Sequence, residues 1–172
     1  MLHPRLHNPV VDFEALPEGA DWWAVDAVIC TLGTTIVDAG SRVAFRRVDY
    51  DYPLEVGQVA RRHGASAYAL NSALGANPRS SIFYNGVKGE LEEALVALDY
   101  PSLVLVRPGL IDGERAQPRA GEGRALAVSR MLRPLLPMKW RPSSAARIAD
   151  ALVDAALHRP PGRHVVDAAV LA

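Results

Sequence analysis

The sequence predicts an α/β fold with a parallel sheet, and three observations predict it. Short apolar runs rich in β-branched residues alternate with longer stretches of helical periodicity, the pattern of successive βαβ units. Three of those runs end in small or turn-forming residues, Gly33-Thr34-Thr35, Asn71-Ser72-Ala73 and Pro108-Gly109. These fall at the carboxyl ends of the predicted strands, the edge on which open α/β sheets bind ligands. The composition is globular: 172 residues, 49% hydrophobic and 22% charged, with zero formal net charge. That excludes a disordered chain and a fibrous repeat. A chain of this length buries roughly 70% of its unfolded surface. No composition break or internal repeat divides it, so residues 1–172 read as one domain.

The elements follow in order. Asn8–Phe13 (NPVVDF) reads as a first short strand. Asp26–Leu32 (DAVICTL) is a nearly continuous apolar run, as expected of a strand buried on both faces. Arg42–His63 reads as a long helix with a bend at Pro53, stopped by Gly64. Ala65–Ser72 is the next strand. Ser80–Leu98 is the clearest helix: Val87, Leu91, Ala94, Leu95 and Leu98 repeat at three and four residues, while Glu90, Glu92 and Glu93 are expected to face outward. Gly86 and Gly89 inside it each cost ~1 kcal/mol relative to alanine, which points to close helix packing, for instance at a subunit interface. Ser102–Val106 is a strand running into Arg107-Pro108-Gly109. Residues 112–123 read as a polar loop, followed by an apolar helical stretch to Leu136. Ser143 or Ser144 caps a last helix whose Ala145, Ile148, Ala149, Leu152, Val153 and Ala156 form one face. Pro160-Pro161-Gly162 ends it, and His164–Val170 reads as a final strand.

Several function classes are excluded or disfavoured by composition. Cys30, the single cysteine, allows no internal disulfide, and no CxxC or HxxxH pair suggests a metal site. The first ten residues lack the apolar core of a signal peptide. No apolar run approaches the ~18 residues of a membrane span. A reduced, cytoplasmic protein that does not engage a membrane is the expectation. Zero net charge hides an asymmetry: residues 1–106 carry eight Lys/Arg against thirteen Asp/Glu, and residues 107–164 carry eleven against five. A basic stretch at Arg115–Arg147 lacks interleaved aromatics apart from Trp140, so a basic surface near an anionic ligand, or solvated arginines, is favoured over nucleic-acid binding.

The sharpest chemical feature is Tyr84-Asn85-Gly86-Val87-Lys88. Four residues apart on a helix, Tyr84 and Lys88 project from one face. An ammonium beside a phenol favours the phenolate and turns tyrosine into a usable acid–base group near neutrality. With five tyrosines and two lysines in 172 positions, chance predicts this pairing about 0.06 times. The competing reading is a half-buried tyrosine above a snorkelling lysine. Ser72, twelve residues before Tyr84 and just beyond a predicted strand, offers a hydroxyl for a substrate carbonyl, or is simply a strand cap.

LGTT at 32–35, VDYDY at 48–52, NSALGA at 71–76, FYNGVKGELEEAL at 83–95 and RPGLIDGER at 107–115 resemble motifs of the atypical short-chain dehydrogenase/reductases. The likeness is to the NAD(P)H-binding group that includes the Tat-interactive oxidoreductase-like protein and its bacterial relatives. It runs from about His3 to the end of the chain. The resemblance implies a Rossmann-like, doubly wound parallel sheet and a catalytic set of Ser72, Tyr84 and Lys88. Tyr84 would be the proton donor and Ser72 would polarise the substrate carbonyl, while Lys88 would hold the nicotinamide ribose. Leu32, Gly33, Thr34 and Thr35 would line the adenosine side, and Pro108, Gly109 and Leu110 would sit near the nicotinamide. Asp49 falls near the position where many relatives carry an asparagine of the set. The implied cofactor is NADP or NAD, with NADP favoured, and the implied partners are the dinucleotide and a small-molecule substrate.

The sequence departs from the family pattern at one place: no G-x-G-x-x-G or G-x-x-G-x-x-G occurs in it. That glycine-rich turn normally brings helix amides to the pyrophosphate. The expectation is therefore a fold lacking the first βαβ segment, with cofactor binding compromised. Either the natural chain begins further upstream, which is favoured, or the short chain stands alone and dimerises through the uncovered edge of the 26–32 strand. An oxidoreductase acting on a carbonyl or alcohol is the leading reading. The alternative is a non-catalytic NAD(P)-sensing or protein-interaction module on the same fold.

Overall fold

The computed structural model describes residues 6–112 and 141–172; the polar loop and the apolar stretch to Leu136 lie outside the described residues. Four strands form one parallel sheet in the order β1-β2-β3-β6: β1 (Ala27–Cys30), β2 (Ala67–Asn71), β3 (Ser102–Arg107) and β6 (Gly162–Asp167). Two short parallel segments, β4 (Ile111–Asp112) and β5 (Ser143–Ser144), pair beside it. The register sets Tyr68, Ala69 and Leu70 of β2 against Leu103, Val104 and Leu105 of β3. Because strand side chains alternate, Tyr68, Leu70, Leu103 and Leu105 face one layer of helices, while Ala69, Val104 and Val106 face the other.

The first layer comprises α3 (Tyr52–Arg62) and α4 (Phe83–Val96), preceded by the short α1 (Ile36–Ala39) and α2 (Arg42–Arg46). The second is α5 (Ala145–His158) and the single-turn α6 (Ala168–Leu171). Ser144 caps α5, its side chain accepting from the Arg147 amide. The expected helix over 42–63 is continuous but not uniformly α. Between α2 and α3, Arg47–Asp51 make one π-helical turn, closed by the Tyr52 amide donating to the Arg47 carbonyl. Its cause is two residues on, since Pro53 has no N–H to give the Asp49 carbonyl and the ladder slips by one residue there. Gly64, at φ 97°, ends α3 in the left-handed region that favours glycine.

Three expectations are corrected. Asn8–Phe13 is not a strand: no strand among the described residues pairs with it, and Val10 is 99% exposed. This segment is held by side chains instead: Glu14 pairs with Arg47 and accepts from the Tyr52 hydroxyl, Phe13 lies 5.2 Å from the Tyr52 ring, and Trp23 Nε1 donates to the Pro17 carbonyl. The 26–32 run is not buried on both faces, since Cys30 is buried but Ile29 is 42% exposed; its edge is unpaired among the described residues, as expected. The last strand starts at Gly162 and ends at Asp167, where the chain turns into α6.

Candidate functional site

Helix α4 carries the site. Tyr84, Lys88 and Glu92 stand at i, i+4 and i+8, a single stripe along one face. The stripe runs inward: Tyr84 is 36% exposed, while Lys88 and Glu92 are both buried. Glu92 was expected to face water with Glu90 and Glu93, and its burial is a correction. Glu90 does reach the surface, pairing with Arg46 at 2.5 Å. Gly89 explains how α4 fits against the loop before it. A Cβ there would lie 2.3 Å from backbone atoms of Asn77 and Pro78, so only glycine lets that segment cross the helix. The close packing expected at this glycine is thus within the chain.

Lys88 Nζ lies 2.7 Å from Oδ1 of Asp49, and both side chains are almost wholly buried. The π-helical turn brings Asp49 inward to this position. Its other oxygen, Oδ2, accepts from the Thr34 amide at 2.8 Å. One carboxylate therefore ties the lysine of α4 to the loop that follows β1. The loop passes beside this pair: a Cβ at Gly33 would be in ordinary van der Waals contact with Asp49 Oδ1 at 3.4 Å and Lys88 Nζ at 3.8 Å.

A second buried cluster stands beside it. Ser72 Oγ donates to Glu92 Oε1 at 2.6 Å, and Arg107 Nε donates to the same oxygen at 2.9 Å, while Arg107 Nη2 pairs with Glu92 Oε2. The Glu92 carboxylate raises the Arg107 pKa above the ordinary guanidinium range, burial working against it. The hydroxyl that the resemblance gives to a substrate carbonyl is thus already donating to a carboxylate. Backbone bonds fix the surroundings: the Ser72 amide donates to the Val106 carbonyl and the Leu74 amide to that of Pro108. The Gly109 amide donates to Ser143 Oγ, and the Ser143 amide to the Leu110 carbonyl, so β5 anchors the turn after β3.

These groups surround a cleft of about 500 Å³ at the carboxyl ends of β1, β2 and β3. Of the residues singled out from sequence, Ser72, Tyr84, Lys88, Leu32, Gly33, Thr34, Pro108, Gly109 and Leu110 line it. Thr35 does not; its hydroxyl instead caps α1, accepting from the Asp38 amide at 3.0 Å. Sequence reasoning missed Glu92 and Arg107. The four-residue step from Lys88 to Glu92 was the available signal. Among the described residues no group of histidine, cysteine and carboxylates could hold a metal, and no helix is long and apolar enough to cross a membrane.

No family model matches the chain. By sequence it is similar to "Protein FMP52-1, mitochondrial" of Scheffersomyces stipitis, 37% identical over 106 residues that cover 57% of this chain and 47% of the relative. It is likewise similar to HTATIP2 of Rattus norvegicus, 39% identical over 119 residues covering 69% and 49%. The chain spans about half the length of these curated relatives. Among solved structures it resembles the UDP-glucose 4-epimerase of Thermotoga maritima with UDP-glucose, at TM-score 0.61 and 13% identity over 87% of this chain and 60% of the other. It also resembles dTDP-4-dehydrorhamnose reductase of Bacillus anthracis in complex with NADP, at TM-score 0.59 and 13% identity over 84% and 56%. These likenesses establish the Rossmann-like fold.

Proposed function

We propose that this chain, a homologue of the FMP52 and HTATIP2 proteins on the short-chain dehydrogenase/reductase fold, supplies the acid–base groups and substrate floor of an NAD(P)H-dependent oxidoreductase acting on a carbonyl or alcohol. The observation that carries this reading is the meeting of Tyr84 and Lys88, one helical turn apart, with three strand ends at one cleft. A bound nicotinamide supplies hydride to the carbonyl carbon. Tyr84, the more open end of the stripe, gives its phenolic proton to the carbonyl oxygen as the C=O π bond breaks. Lys88 would hold the ribose hydroxyls. Asp49 fixes the ammonium and offsets its charge.

Gly33, which lines the cleft without a side chain, would leave the loop backbone open to a flat group. Leu32, Gly33 and Thr34 would hold the adenosine side, and Pro108, Gly109 and Leu110 the nicotinamide side. NADP is favoured over NAD by the resemblance alone. The Thr34 amide is taken by Asp49, and the 172 residues contain no glycine-rich phosphate turn, so dinucleotide affinity is weak. The cytoplasm is the proposed compartment on the sequence features above, although the name of the Scheffersomyces relative includes "mitochondrial".

The test is NADPH oxidation at millimolar cofactor with a panel of small ketones, beside calorimetric NADPH titration. Tyr84→Phe should abolish turnover and leave cofactor affinity nearly intact, whereas Lys88→Ala should lower both. Undiminished turnover in Tyr84→Phe sinks the assignment.

A further inference from the structure

We infer that Glu92, braced by Arg107, captures the proton of Ser72 and thereby makes the serine oxygen a hydrogen-bond acceptor on the cleft floor, which selects substrates carrying a hydroxyl beside the reacting carbonyl. The inference rests on the oxidoreductase reading above. A hydroxyl has one proton and two lone pairs. At Ser72 that proton is directed to Glu92 Oε1 at 2.6 Å. Both side chains are buried, and Arg107 holds the carboxylate through two donors of its own. A carboxylate in this setting accepts and does not donate. Turning the proton into the cleft would strip a buried carboxylate of a donor, which costs more than a typical hydrogen bond returns.

A plain ketone offers only acceptor lone pairs. Two acceptors face to face repel, so a carbonyl oxygen gains nothing from Ser72 and takes its proton from Tyr84 alone. A hydroxyl on the neighbouring carbon is different, because its O–H can donate to Ser72 while the carbonyl oxygen accepts from Tyr84. Both residues line the same cleft. The class selected is therefore the α-hydroxy ketone and, in the reverse direction, the vicinal diol. Glu92 is a positioning residue here, since it acts through Ser72.

The experiment compares 2-hydroxycyclohexanone with cyclohexanone as substrates for NADPH oxidation, and reads the ratio of their kcat/KM. In the unaltered protein the ratio should favour the hydroxy ketone by about tenfold, the worth of one well-made hydrogen bond. Ser72→Ala should bring the ratio close to one. The double variant Glu92→Leu/Arg107→Leu removes the ion pair without leaving either charge alone; it frees the serine proton for a substrate carbonyl and should lower the ratio by raising kcat/KM for cyclohexanone. A ratio unmoved by Ser72→Ala, or one that survives the double variant, overturns the inference.

If no ketone is turned over by the unaltered protein at concentrations where calorimetry shows NADPH bound, the oxidoreductase reading fails by itself. Binding of trans-cyclohexane-1,2-diol, followed by ligand-observed NMR, then decides the acceptor role. About tenfold weaker diol binding in Ser72→Ala supports it, and equal binding in the two proteins overturns it.

Discussion

The two faces of the sheet bury their helices by different means. Beneath α5 and α6 the interface is Ala69, Val104, Val106, Ile148, Leu152, Ala155 and Leu171, with no buried titratable side chain among the described residues. Beneath α3 and α4, Leu70, Leu91, Leu95 and Leu105 are joined by Asp49, Lys88, Glu92 and two phenols, Tyr68 and Tyr100. The apolar face holds by contact alone and tolerates small adjustments. The mixed face holds by contact plus directional bonds, each of which fails badly if one partner goes. The cleft opens on the mixed face, where the packing is least forgiving.

The largest expected effect comes from splitting a buried pair. Lys88→Met leaves Asp49 with the Thr34 amide as its remaining donor and should cost about 3–5 kcal/mol in denaturant unfolding. The double variant Asp49→Asn/Lys88→Met should recover most of that loss. If the single variant proves milder than a core truncation on the other face, the contrast between faces is false. That truncation is Leu152→Ala, expected to cost about 2–4 kcal/mol through lost transfer energy and a residual cavity. No second substitution of a polar partner should rescue it.

The smallest effect separates the faces by pH. Tyr68 donates to the Pro53 carbonyl at 2.8 Å and Tyr100 to that of Gly57 at 2.6 Å. Burial pushes both phenols above their ordinary range. The folded chain thus keeps protons that the unfolded chain releases. Stability from these groups is complete below pH ~10 and falls as pH rises beyond it. Tyr68→Phe and Tyr100→Phe should flatten that alkaline decline in urea unfolding, while Leu152→Ala lowers the whole curve without changing its slope. A decline equally steep in the phenylalanine variants would mean that other groups cause it.

The strands and one pair of the site are legible in the sequence, but the contrast between the two faces is not. The three strands and their parallel direction follow from alternating apolar runs and helical periodicity, and Tyr84 with Lys88 follows from a four-residue step. Glu92 was misread because three glutamates in four positions look like a solvated face. Its partners come from 20 residues before and 15 after, through the pairing of β2 with β3. Asp49 could not be placed by counting 3.6 residues per turn, since the π-helical turn breaks the count. Asn8–Phe13 has strand-like residues, but a strand needs a neighbour as well as a propensity.

That π-helical turn has a consequence for how this chain tolerates change in length. Ahead of it, Phe45 is fully buried against Phe83 and Tyr84; behind it, Val59 and Ala60 are fully buried in the core. The two halves are out of phase with a regular helix by one residue, and each is committed to its own neighbours. Deleting any single residue from 47–51 would restore regular winding and leave the two halves in the phase they now have, because the wide turn takes up its extra residue locally. What would be lost is the turn that carries Asp49 to Lys88 and the Thr34 amide. The surplus residue serves the cleft rather than the core, and its removal should loosen the site before it unsettles the helices.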